Sequence, residues 1–196
     1  MTELSVPSRL PAGATPEGDG IAVGDGPVRV DLYIDYLCPF CKRFELNAAD
    51  ALAALIAGQQ ATLVYHPMNF LDEASTTRYS TRAAAASGCA SDGGRFMQFT
   101  HLMYVHQPPE GGPGLSDGQL ANIGRTAGLD PAVFTSCVGE GRYLEWPTYV
   151  TAQALEAGVQ GTPTVRVDGA DIEPDGEILT AAVLRATART RSSGSY

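Results

Sequence analysis

The stretch Val28-Arg29-Val30-Asp31-Leu32-Tyr33-Ile34-Asp35-Tyr36-Leu37-Cys38-Pro39-Phe40-Cys41-Lys42 contains the change of texture that decides the fold. Up to Tyr36 it is β-branched, apolar and aromatic, the composition of a strand. Beyond Cys41, residues Phe44, Leu46, Ala48, Ala49, Ala51, Leu52, Leu55 and Ile56 recur at roughly helical spacing, which predicts a helix over 38–57 stopped by Gly58. The two cysteines therefore stand where a strand gives way to a helix. The first turn of a helix carries unpaired N–H groups and the positive end of the helix dipole, and both favour a thiolate. Pro39 suits that turn, because its missing N–H has no partner there to lose. The residues read as a redox-active dithiol. Cys38, at an exposed helix start, exchanges with substrate, and Cys41, one turn deeper, resolves the mixed disulfide.

Working outward, the N-terminal residues 1–18 are rich in Pro and Gly and read as a flexible leader. A short strand near residues 20–23 and a Gly-Asp-Gly-Pro turn precede the long strand, and Ala61-Thr62-Leu63-Val64-Tyr65 follows the cysteine helix as another. The second and third strands are then expected to lie parallel across the helix. From residue 72 the pattern is helical for roughly ninety residues, with helices over 75–91, 96–106, 115–128, 130–137 and 143–157 and a QPPEGGPG loop over 107–114. Ser116 looks like a helix cap, and Asp130-Pro131 like a helix opening. Strand character returns at Thr164-Val165-Arg166-Val167, a hairpin follows, and a last helix covers 177–190. This order predicts an α/β domain over 19–71 and 161–190, interrupted by an all-helical insertion over 72–160, with a tail over 191–196.

The chain has 196 residues, 44% of them hydrophobic, and a net charge of −9. That charge argues against nucleic acid or an anionic membrane as the main partner. No window reaches the ~18–20 apolar residues of a membrane span, and residues 1–20 have no apolar core of a signal peptide. The expected location is the cytoplasm as the chain stands, or the cell envelope or exterior if an export signal was removed. Four cysteines, Cys38, Cys41, Cys89 and Cys137, are too few for a disulfide-framework protein. The last two are either a second pair or small buried apolar residues.

A C-x-x-C also serves zinc. His66, His101, His106, Cys89 and Cys137 are the other candidate ligands, yet none forms a second spaced pair, so no metal and no cofactor are expected. A non-enzymatic zinc module stays as an alternative reading.

A second motif, Gly161-Thr162-Pro163-Thr164-Val165, stands immediately before the late strand. A strand ending in CPFC and a helix, a GTPTV strand later and a helical block between them resemble the DsbA-like branch of the thioredoxin superfamily, notably its actinobacterial members. The likeness spans residues from about 20 to 189 and includes Phe44-Glu45 after the cysteines. Glutathione transferase kappa has a similar alternation but a Ser or another residue at the reactive position.

The resemblance implies a thioredoxin fold with an inserted helical domain and a thiol:disulfide oxidoreductase acting on protein substrates. It implies a cis proline at Pro163, with the Thr162 backbone contacting substrate, and a structural disulfide between Cys89 and Cys137. It matches Glu45 to an acid of the family that tunes the site or transfers a proton; the plain alternative is a solvated helix residue. The family's buried acid six residues before the first cysteine is replaced by Leu32, and Asp31 and Asp35 are out of that register. Phe40 adds no charge between the cysteines, so Cys38 is expected to be less acidic, and the protein a milder oxidant, than relatives with His there. The leading expectation is a monomeric disulfide-forming oxidant recycled by a membrane oxidase. The alternative is a cytoplasmic reductase drawing on a low-molecular-weight thiol.

Overall fold

A computed structural model describes residues 5–193. Its sheet contains strands β1 (Ile21–Val23), β2 (Val28–Ile34), β3 (Ala61–Pro67), β4 (Thr164–Val167) and β5 (Ala170–Ile172), in the spatial order β1-β3-β2-β4-β5. Helix α1 (Pro39–Ala57) crosses from β2 to β3, which run parallel in register from Val28 opposite Ala61 to Ile34 opposite Pro67. The β1–β3, β2–β4 and β4–β5 pairs are antiparallel. The central strand β2 thus ends at the cysteines with β3 on one side and β4 on the other. The chain adopts a mixed α/β thioredoxin fold.

Between β3 and β4 lie a single 3-10 turn (Asp72–Ala74) and helices α2 (Tyr79–Asp92), α3 (Phe96–Val105), α4 (Asp117–Thr126), α5 (Pro131–Gly139) and α6 (Trp146–Glu156). Two of their starts follow from local chemistry. The Ser116 hydroxyl accepts from the Gln119 N–H while the Gln119 side chain accepts from the Ser116 N–H, a reciprocal cap. The Asp130 carboxylate accepts from the Ala132 and Val133 N–H groups, with Pro131 in the first turn. Pro147 likewise falls in the opening turn of α6, where it breaks nothing. Helix α7 (Gly176–Ser193) closes the fold and packs on α1.

One stripe of α1 holds it to the core. Cys41, Phe44, Glu45, Ala48, Leu52 and Leu55 are its buried residues, and burying one large aliphatic or aromatic side chain is worth roughly 1.5–3 kcal/mol.

Three sequence expectations change. The leader is not a loose tail over its described part: Trp146 donates from Nε1 to the Gly18 carbonyl at 2.8 Å, and the Tyr149 hydroxyl donates to the Glu17 carbonyl at 2.9 Å. Ser91 reaches the Ala12 carbonyl as well. Residues 1–4 of that expectation lie outside the described residues. The second helix begins at Tyr79 rather than at residue 75, because Arg78 turns into the left-handed region at φ 53° and the Asp72 carboxylate holds the Thr81 N–H instead. The last helix continues through Ser193 where a tail was expected from 191, and residues 194–196 lie outside the described part.

Candidate active site

Cys38 is the residue that caps α1, with extended backbone (φ −70°, ψ 119°), and Pro39 opens the helix behind it. The antiparallel register sets Tyr33 of β2 opposite Thr164 of β4. The chain leaving β2 and the chain entering β4 therefore meet at the same end of the sheet. This brings the Cys38 Sγ to 3.2 Å from the Thr162 carbonyl oxygen, across 124 residues of sequence. The Thr162–Pro163 peptide bond is cis. Cys38, Cys41, Thr162 and Pro163 thus form one site, and Cys38 and Cys41 are free thiols.

Electrostatics separate the two sulfurs. The Cys38 thiol is drawn down from 9.0 to about 6, chiefly by a hydrogen bond from Cys41, against the opposing effect of burial. Thr162 and the N–H groups of Cys41 and Phe40 add to that pull. Cys41 is pushed well above 9.0, first by burial and then by its bond to Cys38 and the charge on it. These opposite shifts favour a thiolate on Cys38 that accepts a hydrogen bond from a protonated Cys41. A pKa of about 6 falls between ~7 for thioredoxin and ~3.5 for strongly oxidising DsbA.

Cys38 is not the open position its place at a helix start suggests: it is only 4% exposed. The exposed group is Phe40, at 56%, with the Arg43 guanidinium 5.1 Å from its ring centre. Phe40, Arg43, Phe44 and Asn47 of α1 face Thr162, Pro163 and residues 173–176 across a groove of about 350 Å³.

Glu45 belongs to the buried stripe of α1, one turn beyond Cys41, and is 2% exposed. A solvated helix residue is therefore the wrong reading of it. Burial pushes its carboxyl up to about 7, and the nearby Tyr65 side chain holds it back. Among the described residues neither Glu45 Oε2 nor the Tyr65 hydroxyl has a hydrogen-bond partner of good geometry.

Sequence reasoning missed one residue of this region and set another aside. Gln107, read only as the start of a loop, donates from Nε2 to the carbonyls of Tyr36 at 3.0 Å and Cys38 at 2.9 Å. Asp35 is fully buried and accepts from Leu37, Leu71 and Ser80.

The other cysteines stand apart from this site. Cys89 of α2 and Cys137 of α5 form a disulfide, with their Cα atoms 5.9 Å apart. Among the described residues no three His, Cys, Asp or Glu side chains are grouped to hold a metal ion. His66 is instead bound between the Asp19 carbonyl and the Asp31 carboxylate.

A family model described as Thioredoxin (Thioredoxin_4) matches residues 17–183. Among solved structures, the chain is similar to the reduced disulfide bond oxidoreductase DsbG of Mycobacterium tuberculosis, 31% identical, with a TM-score of 0.76 and 88% of each chain covered. It is also similar to oxidised DsbA of the same organism, 29% identical, TM-score 0.73, over 85% of this chain and 91% of that one. Among curated proteins it resembles the serine/threonine-protein kinase PknE of Mycobacterium tuberculosis, 31% identical over 160 residues. That match takes in 75% of this chain but only 28% of the kinase's length. The chain belongs to the thioredoxin family and is a thiol:disulfide oxidoreductase of the DsbA type.

Proposed function

We propose that Cys38 and Cys41 are the redox pair of this enzyme and that it acts as a disulfide-forming oxidant on protein substrates. The observation that carries the reading is the asymmetry of the pair: an acidified Cys38 beside Thr162 and a protonated, deeper Cys41. In the oxidised enzyme a substrate thiolate attacks the Cys38 sulfur, forming a mixed disulfide and releasing Cys41 as a thiolate that takes up a proton. A second substrate thiolate then attacks the substrate sulfur of the mixed disulfide. Cys38 leaves as a thiolate, and the electron pair has passed from two substrate thiols to the dithiol. Glu45, one turn from Cys41, serves as the acid that tunes this proton step. Thr162 and Pro163 supply the backbone edge against which the substrate chain lies.

The direction of electron flow follows from thiolate stability. A well-stabilised Cys38 thiolate favours the reduced enzyme and hence oxidation of the substrate. The Cys89–Cys137 disulfide supports an oxidising compartment, the cell envelope or exterior, since cytosolic thiols are kept reduced. Among the described residues no helix is long and apolar enough to cross a membrane. A separate redox partner, a membrane oxidase, would return the dithiol to its disulfide. We assign residues 19–71 and 161–190 to the redox unit of a monomeric protein, and residues 72–160 to an inserted helical unit that braces it.

The test is a trapping experiment with a disulfide-containing unfolded protein. The Cys41→Ser variant is expected to accumulate a mixed disulfide on Cys38, seen by mass spectrometry, and Cys38→Ser to accumulate none. Equal trapping by both variants, or by neither, contradicts the assignment.

A further inference from the structure

Asp35 stands three residues ahead of Cys38, and its side chain is 0% exposed. Its Oδ1 accepts from the Leu37 N–H at 2.8 Å and from the Ser80 hydroxyl at 2.7 Å, and its Oδ2 accepts from the Leu71 N–H at 2.9 Å. Its backbone carbonyl takes the Cys38 N–H at 3.1 Å and the Tyr104 hydroxyl at 3.2 Å. One residue therefore ties the turn that delivers Cys38 to the segment after β3, to α2 and to α3. Among the described residues these carboxylate partners are neutral donors, and no cation joins them.

A carboxylate held this way carries negative charge in a dry interior, in the same hydrogen-bonded turn as a second group that must become negative to react. In low dielectric each of two neighbouring like charges disfavours the other, and the effect is reciprocal. We propose that Asp35 is a positioning residue for Cys38 whose carboxylate also restrains the Cys38 thiolate, so that the charge of Asp35 sets how strongly oxidising the dithiol is. The proposal rests on the reading of Cys38 as the nucleophile.

The chemistry around Asp35 agrees with it. Burial raises its carboxyl to about 6, the donors from Leu37, Ser80 and Leu71 pull it back, and Cys38 pushes it up again. Asp35 and Cys38 then titrate over the same pH range. Among the other titratable groups, Cys41 on α1 acts on Cys38, Asp35 acts on Tyr79 of α2 and Tyr104 of α3, and Tyr36 follows Asp35 in the turn with its hydroxyl on Thr100. Burial raises all four above their usual values, away from this range. Glu45, which acts on Tyr36 and Tyr104, does titrate nearby, and it is common to the wild type and the variants compared below.

The experiment uses the full chain. Asp35→Asn keeps an oxygen for the Leu37 and Ser80 donors, removes the charge, and sets an amide N–H against that of Leu71. Ser80→Ala keeps the carboxylate but deletes one of its donors, so Asp35 stays neutral to a higher pH. Thiolate absorbance at 240 nm during a pH titration, and the redox equilibrium with glutathione, read the result. In Asp35→Asn the Cys38 midpoint is expected to fall. The glutathione equilibrium should move about tenfold toward the reduced dithiol, which is about 30 mV for a two-electron couple. Ser80→Ala moves both in the same direction by less, and it carries the test if the Asn variant fails to fold. A purely structural role lowers the melting temperature and leaves the midpoint unchanged or higher, and that result overturns the proposal. Cys38→Ser is the control: if the 240 nm titration survives in it, the reading of Cys38 fails, not the role of Asp35.

Discussion

Glu45 allows a prediction whose size can be worked out. Its carboxyl is buried with one oxygen unpartnered among the described residues, and its pKa is raised from 4.5 to about 7. Because the folded value lies above the unfolded one, the group's contribution to stability is intact below about pH 4.5 and is lost as pH rises through about 7. Each unit of difference is about 1.36 kcal/mol, so the folded protein carries a penalty of roughly 3 kcal/mol once both states are ionised. Glu45→Gln has no charge to bury and escapes this pH dependence. Urea unfolding of the reduced proteins at pH 5 and pH 8 measures it. The stability of the variant relative to wild type should improve by roughly 2–3 kcal/mol between the two pH values. Asp35 is present in both proteins and cancels in the comparison. A difference that stays flat with pH would mean that Glu45 is hydrated or paired in solution, and the argument from burial would fail. If Glu45 also serves Cys41, the same variant slows the step that releases Cys41 while leaving the binding of substrate unchanged.

Two further outcomes follow from the geometry. Cys41→Ala removes the hydrogen bond that does most to stabilise the Cys38 thiolate. Bonds to a charged group are worth ~1.5–3 kcal/mol, so the thiolate titration at 240 nm should move up by roughly one to two pH units; an unmoved midpoint contradicts the shared-proton picture. Replacing both Cys89 and Cys137 by Ser opens a disulfide with a sequence separation of 48. The chain-entropy relation puts the loss near 4 kcal/mol, roughly, readable by urea unfolding, with the redox equilibrium of Cys38 and Cys41 unchanged. A shift in that equilibrium would mean that the helices bridged by the disulfide help to set the active site.

Much of this was legible in the chain because it is written locally. A strand that stops at Cys38-Pro39 and a helix that starts there specify the junction, and Thr164 to Val167 shows the strand that returns to it. Glu45 was half legible: it shares the helical stripe of Cys41, Ala48, Leu52 and Leu55, whose burial is observed, so its period pointed inward while its charge pointed outward. The leader was misread because polar, Pro-rich composition says nothing about backbone carbonyls that Trp146 and Tyr149 bind from more than a hundred residues away. Gln107 was hidden, and Asp35 was set aside by its register, for the same reason. Their partners at Leu71, Ser80, Tyr36 and Cys38 are brought together by the packing of helices on the sheet, not by spacing in the sequence.

The reduction potential of the Cys38/Cys41 pair, measured by equilibration with glutathione on the full chain, bears most directly on the claim of a disulfide-forming oxidant. With a Cys38 pKa of about 6, the potential is expected to lie between that of thioredoxin, ~−270 mV, and that of DsbA, ~−120 mV. A value at or below ~−270 mV would make the dithiol a reductant and contradict the account.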